Sequence, residues 1–477
     1  MRIRWSAFGL IVSGLVACKP SDVLSVPPPA GVSSAASLAS QQGAENELTE
    51  GIGQLFAAEY RRFNGVMLWS ELVTDEFTFA GSAFFGSSQG PDARVVYGGS
   101  SGFYEIYPDN GWASLLQARQ SMLLALPNLV KYEPASGRSH IGEAYALIGY
   151  TEILLAEQFC AGTPLDAILP GGGYEYGTPL TTDSMLGVAE VDLDSAVAEA
   201  NGDPSISGLA SVGLARALLD RGQYAAAEAA VADVPTNFVF NGTLQPSTSA
   251  SPGTVNVYAG GVSTPFDAIF NTSDNEGENG LNFISAHDPR LTFDTTHKTL
   301  NGFYRGAVPA TWYLPEKFAT DLSDIPLASG IEARLIAAEA ELEAGNATTW
   351  AADLSALRTD SADTHVHFDG TQVPIQTDST TGASAAAQVD FQFREKAFWL
   401  FGTGTRMGDL RRLIRQYGRD PETVYPTGPY MGGTIPTLPA FGTDVALTVP
   451  TPAGLASGQI SVTNPNYKGC LTSTATP

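Results

Sequence analysis

Two short helical stretches joined by a tight turn constrain the fold of this chain most. Leu209–Leu219 and Tyr224–Ala232 both carry apolar residues at helical spacing, and the second stretch begins with an aromatic residue. Gly222 permits the turn, while Ala215 and Ala227 are small where the two helices cross. This order is typical of a tetratricopeptide-type hairpin, which must stack on neighbours to bury its apolar face.

Further helices are predicted on both sides of this hairpin. Three come before residue 141: Glu45–Phe63, a helix from Val66, and Trp112–Leu126. Three more pairs follow the same pattern: Ile141–Phe159 with Thr182–Ala200, Ile331–Glu343 with Trp350–Arg358, and Ala385–Phe401 with Thr405–Tyr417. Thr182 or Asp183 is the expected N-cap of its helix. The sequence therefore predicts a mostly α fold, a tetratricopeptide-like superhelix of about four helical hairpins.

A long helix-free segment interrupts the helical pattern. Residues 236–327 are rich in Gly, Asn, Ser and Thr, with short β-like stretches at Phe238–Phe240 and Thr254–Tyr258. We expect one body over 44–477, with a helical frame at about 44–235 and 328–418 and an irregular tail at 419–477. Since the frame does not need the segment, we predict that 236–327 is an inserted ligand-binding lobe.

The N-terminus has the organisation of a lipoprotein leader. Arg2 and Arg4 precede an apolar stretch at Phe8–Val16, which is too short to span a membrane, and Leu15–Cys18 resembles a bacterial lipobox. We therefore expect a signal peptide at 1–17, lipidation of Cys18 and a proline-containing tether over 18–43. An ordinary secretory peptide with a chance cysteine is the alternative.

Charge and cysteine content narrow the partners. The chain has 50 acidic and 25 basic residues, a formal net charge of −25, so it repels phosphate backbones and nucleic acid is not an expected partner. With Cys18 lipidated, Cys160 and Cys470 remain. In an oxidising envelope they either form one long-range disulfide or stay as free thiols, and the sequence leaves both open.

Several segments together resemble the RagB/SusD family of nutrient-binding outer-membrane lipoproteins. The most specific match is Arg394–Phe401 followed by Gly404–Arg412. Other similar segments are Asp22–Pro28, Asp288–Arg290, Trp312–Phe318, Asp324–Leu327, Glu332–Ala340, Leu354–Arg358 and Asn464–Tyr467. The family usually has a glutamate where this chain has Thr403, so an ion pair to Arg406 should be missing or supplied elsewhere.

The resemblance implies a function. Such proteins sit on the cell exterior, dock on a TonB-dependent outer-membrane channel (the SusC-like partner), present oligosaccharides or other nutrients for import, and are not enzymes. A different class stays open from the residues alone: an envelope tetratricopeptide adaptor that binds peptides or assembly proteins and has no transport role.

Two aromatic clusters in helix-free segments are the candidate ligand site. Aromatic faces stack on pyranose rings, and Asn and Arg side chains hydrogen-bond to hydroxyl groups. The candidate residues are Phe103, Tyr104, Tyr107, Asn110, Asn301, Tyr304, Arg305, Trp312 and Tyr313. For each aromatic residue alone, anchoring a loop to the core is the alternative.

Patterns that suggest catalysis or metal binding are weak. Gly98–Gly102 matches a serine-hydrolase elbow but lacks the helix that should follow it, so we interpret it as a loop. His365 and His367 have no third ligand nearby in sequence. Asp274, Glu276 and Glu278 alternate as in a calcium loop without its closing glutamate, which leaves a weak Ca²⁺ candidate. We therefore expect no catalytic residues and no cofactor beyond that ion.

Overall fold

The helical frame makes up most of the described structure. The computed structural model describes residues 39–60, 65–79, 90–96, 106–134, 138–168, 173–244, 270–296, 311, 313–318, 320, 322–359, 382–430, 438–450 and 464–477. The helices are α1 (Gln41–Tyr60), α2 (Val66–Val73), α3 (Ile106–Tyr132), α4 (Ser139–Gln158), α5 (Thr182–Glu199), α6 (Pro204–Asp220), α7 (Tyr224–Val231), α8 (Gly330–Glu343), α9 (Ala347–Thr359), α10 (Ala385–Trp399), α11 (Arg406–Arg415) and α12 (Pro421–Val424). The predicted mostly α class is confirmed.

The helices pack as consecutive hairpins. Helices α4 and α5, α6 and α7, and α8 and α9 pair as predicted, and α3, α5 and α7 each contact the next helix. Close crossing depends on glycines: an added Cβ at Gly149 or Gly213 would lie 2.5 Å or 2.8 Å from the Leu193 side chain. The sequence missed one hairpin, α1 with α3, because residues 61–105 separate its two helices.

Local sequence signals predict most helix ends to within a few residues of the observed ends. Gly222 has φ +72° in the turn between α6 and α7, as its position in the hairpin requires. The predicted cap of α5 was wrong by one residue: Thr181 is the N-cap, and its Oγ1 accepts a hydrogen bond from the Ser184 N–H at 3.1 Å. Thr182 and Asp183 are already the first helical residues.

Short strand pairs attach the inserted segment to the frame. The paired strands are β1 (Phe77–Phe79) with β5 (Phe270–Thr272), β2 (Ala167–Ile168) with β3 (Tyr174–Glu175), β4 (Val239–Asn241) with β8 (Pro326–Ser329), and β6 (Phe293–Asp294) with β7 (Leu314–Pro315), all antiparallel. Since β4 pairs with β8, the two ends of the insertion meet beside α8. Among its described residues the insertion has only the strands β4 to β7, the start of β8 and a 3₁₀ turn at Glu316–Phe318. Thr254–Tyr258 lies outside the described residues.

Buried ion pairs join the last helices to the frame. Arg406 donates to both carboxylate oxygens of Asp75 at 2.8 and 3.0 Å, so the partner that Thr403 does not supply comes from the turn after α2. The Gly404 N–H donates to Glu71 at 2.8 Å and the Gly402 N–H to Glu76 at 3.0 Å. The segment before α11 is thereby held against α2 and β1.

A second buried cluster centres on Glu339 of α8. Its carboxylate accepts hydrogen bonds from Arg412, from Lys396 at 3.3 Å and from the Tyr417 hydroxyl at 2.8 Å. Burial alone would raise the pKa of Glu339, but Arg412 and Lys396 outweigh it and lower the pKa to about 2. This carboxylate is therefore ionised and connects α8, α10 and α11.

A disulfide ties the C-terminal tail to the frame. Cys160 and Cys470 are bonded, with their Cα atoms 5.6 Å apart and a sequence separation of 310. Beside it, the Leu447 N–H donates to the Gln158 carbonyl at 2.7 Å and the Cys160 N–H to the Leu447 carbonyl at 2.8 Å. Of the two arrangements that the sequence left open, the structure has the bonded one.

Candidate functional site

The structure describes only part of the predicted ligand site. Tyr313 is the one candidate whose side chain is described. Tyr107 and Asn110 lie in the first turns of α3, and nothing is described of their side chains. The following residues of the sequence analysis lie outside the described residues: Cys18, Gly98–Gly102, Phe103, Tyr104, Asn301, Tyr304, Arg305, Trp312, His365 and His367. Their predicted roles stay predictions.

Tyr313 lines an open cleft of about 540 Å³, which we name the Tyr313 cleft. Chain segments that are distant in sequence meet here: β1, the segment after β5, Tyr313 itself, and the C-terminal tail. The described lining residues are Thr78, Asn271, Thr272, Ser273, Asp274, Asn275, Glu276, Gly277, Glu278, Ile284, Tyr313, Pro429, Tyr430 and Phe441. Aromatic, amide and carboxylate groups thus share one concave surface.

Strand β5 positions Tyr313. The Tyr313 N–H donates to Asn271 Oδ1 at 2.9 Å, and the Thr272 hydroxyl donates to the Tyr313 carbonyl at 2.9 Å. The Tyr313 ring packs edge-on against Phe293, with centroids 6.0 Å apart. Because side chains alternate along a strand, Phe270 and Thr272 are buried while Asn271 lies on the half-exposed side. The backbone of Tyr313 is therefore held by β5, and its ring packs on Phe293 and stays half-exposed at the cleft.

The tail supplies two more rings, which the sequence analysis did not single out. Tyr430 and Phe441 pack edge to face, with centroids 5.2 Å apart. The Tyr430 hydroxyl donates a hydrogen bond to Asp92 Oδ2, which fixes the position of this ring. Sequence reasoning treated residues 419–477 as an irregular tail. The only signal there was the presence of aromatic residues in a stretch rich in Pro and Gly.

The loop with the predicted calcium ligands forms one wall of the cleft. Asp274 Oδ1 accepts hydrogen bonds from the backbone N–H groups of Ile284 and Ser285 at 3.0 and 2.9 Å. The Asn279 amide donates to the Tyr425 carbonyl and to Thr427 Oγ1. The carboxylate of Asp274 thus stabilises the loop. Asp274, Glu276 and Glu278 do not bring their oxygens together: in the described part of the chain, the only triad with ligand atoms within 4.8 Å is Glu45, Glu133 and His140.

All charged residues in the described lining of the cleft are acidic. Asp274, Glu276 and Glu278 lie on its wall, and its described lining contains no lysine, arginine or histidine. The carboxyl groups whose pKa values burial raises to about 8, those of Glu59 and Glu152, lie inside the frame instead. The described lining therefore offers stacking surfaces and hydrogen-bond acceptors.

A second cavity, of about 490 Å³, lies between β4, β8 and the end of α10. Its described lining is more apolar and includes Phe318, Ile331 and Trp399. Burial lowers the pKa of its one lysine, Lys317, to about 8, and the amine donates to the Phe401 carbonyl. The amine of Lys317 is thus engaged by the turn after α10. The Tyr313 cleft is the better ligand site, because it combines aromatic rings with amide and carboxylate groups.

Comparison with known proteins identifies the fold. No protein-family model matches the chain, and no curated protein does. A SusD-like protein from Bacteroides fragilis NCTC 9343 is 13% identical, with a TM-score of 0.61 over 92% of this chain and 98% of that one. A SusD superfamily protein from Bacteroides thetaiotaomicron VPI-5482 is 14% identical (TM-score 0.56; 81% and 95% covered).

A laminarin-binding SusD-like protein is also similar in structure. It is 15% identical, with a TM-score of 0.51 over 90% of this chain and 100% of that one. In the described part of the chain, no helix is both long enough and apolar enough to cross a membrane. The structural similarities extend over nearly the whole length of these proteins, and the chain therefore has the SusD-like fold.

Proposed function

We propose that this chain is a non-catalytic SusD-family lipoprotein of the cell surface, which captures an oligosaccharide in the Tyr313 cleft. The observation that carries the proposal is the meeting of a half-exposed Tyr313 ring with amide and carboxylate side chains in one cleft. A pyranose presents an apolar C–H face and a rim of hydroxyls, which such a surface complements. The laminarin-binding structural neighbour supports a glycan as the ligand class.

The ligand should be neutral or carry amino groups. Three carboxylates face the cleft without a basic residue in its described lining, and the whole chain has a net charge of −25. Both would repel sulfated or uronic-acid glycans. We therefore expect a glycan array to show binding of neutral or amino-sugar oligosaccharides and little binding of anionic ones.

Removing the Tyr313 ring should weaken capture. A stacked ring that buries apolar surface contributes about 1.5–3 kcal/mol, so Tyr313→Ala should weaken binding of the best array glycan by about 10- to 100-fold. Isothermal titration calorimetry would measure it. Tyr176→Ala, which removes an exposed ring that does not line the cleft, is the matched control. Equal affinity of Tyr313→Ala and the unchanged protein would contradict the proposal.

The captured glycan would pass to a TonB-dependent outer-membrane channel, as the family resemblance implies. Acyl chains on Cys18 would hold the body at the membrane through residues 18–43. We expect the chain, extracted in mild detergent, to copurify with a large β-barrel protein in near-equal amount, and Cys18→Ala to release it from the membrane fraction. Absence of any such barrel would remove the transport part of the proposal while leaving glycan capture intact.

A further inference from the structure

Three potential metal ligands meet at the end of the frame where the chain enters it. Glu45 lies in the first turns of α1, Glu133 directly follows α3, and His140 lies in the first turn of α4. One ligand atom from each lies within 4.8 Å of the other two. The site thus joins the start of α1 to the α3–α4 connection, which lies about ninety residues further along the chain.

Glu133 is buried but only partly satisfied. Its side chain is 1% exposed, and its Oε1 lies 2.5 Å from His140 Nδ1. Its Oε2 has no hydrogen-bond partner among the described residues. A buried carboxylate oxygen without a partner is costly, and such atoms in native structures usually have a ligand, water or ion as partner.

We infer that Glu45, Glu133 and His140 bind a divalent transition-metal ion, with Zn²⁺ as the ion that best suits them. One imidazole nitrogen and two carboxylate oxygens are ligands that Zn²⁺ accepts, and a water would complete a tetrahedral shell. The ion would neutralise both carboxylates and give Glu133 the partner that it lacks. A simple ion pair of protonated His140 with Glu133 is the competing explanation.

Such an ion would join α1, α3 and α4. Residues 61–105 separate α1 from α3 in sequence. A metal ion that links the start of α1 to the end of α3 would therefore stabilise this hairpin at the end opposite that connection. Metal bound only by the folded protein stabilises it. We therefore expect ZnCl₂ to raise the melting temperature of the EDTA-treated full-length protein, and MgCl₂ to have little effect.

Calorimetric titration of the metal-free full-length protein with ZnCl₂ tests the site. We expect one strong site, and a loss of affinity of about 100-fold or more in Glu133→Gln and in His140→Gln, since ligand loss should exceed the 10- to 100-fold typical of outer-shell changes. Unfolding of the metal-free variants would show that both still fold, and His140, which is 44% exposed, should tolerate the change.

Two controls separate this site from other histidines. The double variant His365→Gln with His367→Gln removes two closely spaced histidines outside the proposed site, and His287→Gln removes an exposed histidine. Both proteins should bind Zn²⁺ as the unchanged protein does. Unaltered binding in Glu133→Gln and His140→Gln, or no strong Zn²⁺ binding at all, would overturn the inference and leave the ion pair. Glycan binding is an independent readout, so this result does not depend on the proposed function.

Discussion

Replacing Glu339 with alanine is expected to lower the free energy of unfolding by about 3–5 kcal/mol, the usual cost of breaking a buried ion pair from one side. Arg412 is 1% exposed and Lys396 is 4% exposed, so both cations would stay buried after the loss of this carboxylate. The Tyr417 hydroxyl would also lose its acceptor. Urea denaturation followed by circular dichroism would measure the change, because urea does not screen charges.

Glu343→Ala is the matched control, since Glu343 is exposed at the end of the same helix. We expect this variant to stay within about 0.5 kcal/mol of the unchanged protein. A similar small effect of Glu339→Ala would mean that the remaining acids near Arg412 and Lys396, Asp220 and Asp409, compensate both cations.

Glu59→Gln is expected to change how stability depends on pH. Glu59, near the end of α1, is 3% exposed, and burial raises the pKa of its carboxyl group to about 8, although Arg216 opposes the shift. The folded state therefore keeps a proton that the unfolded chain releases above pH 4.5. The stability that depends on this proton is complete below pH 4.5 and is lost as the pH rises to about 8.

Glutamine imitates the protonated acid at every pH. We expect Glu59→Gln and the unchanged protein to be equally stable at about pH 4.5, whereas at about pH 8.5 the variant should be more stable by about 3–5 kcal/mol. Urea unfolding at several pH values would show the difference. Glu339→Gln should behave in the opposite way, because the stabilising effect of its lowered pKa is lost as the pH falls from 4.5 to about 2. Parallel pH profiles for Glu59→Gln and the unchanged protein would show that Glu59 is ionised in the folded state.

Most of the helices could be predicted because they have their own local signals, whereas the single turn α12 lies in the stretch predicted to be an irregular tail. The pair α6 and α7 has a glycine turn with φ +72° at Gly222 and small residues at the crossing, all visible within thirty residues of sequence. The pairing of α1 with α3 has no local signal, since the chain leaves the frame between them. Because Thr403 cannot pair with Arg406, the sequence predicted that this ion pair is missing or supplied elsewhere. It is supplied by Asp75 in the turn after α2, a source that depends on the tertiary fold.

The candidate cleft was predictable only in part. Tyr313 was identified because an aromatic residue in a helix-free segment often serves binding. Tyr430, Phe441 and Asn271 were not, because folding brings them to Tyr313 from two other parts of the chain, the tail and β5. For Asp274, the alternating acids left only a weak Ca²⁺ candidate, and the structure adds that its carboxylate accepts hydrogen bonds from the backbone of its own loop.

The bond between Cys160 and Cys470 also bears on how the protein responds to proteolysis. These cysteines are 310 residues apart, so the ring that they close contains the insertion, the tail and most hairpins. A single proteolytic cut anywhere inside this ring leaves the two fragments covalently joined. The nicked protein would run as one band on a non-reducing gel and as two after reduction, because its parts would stay covalently joined.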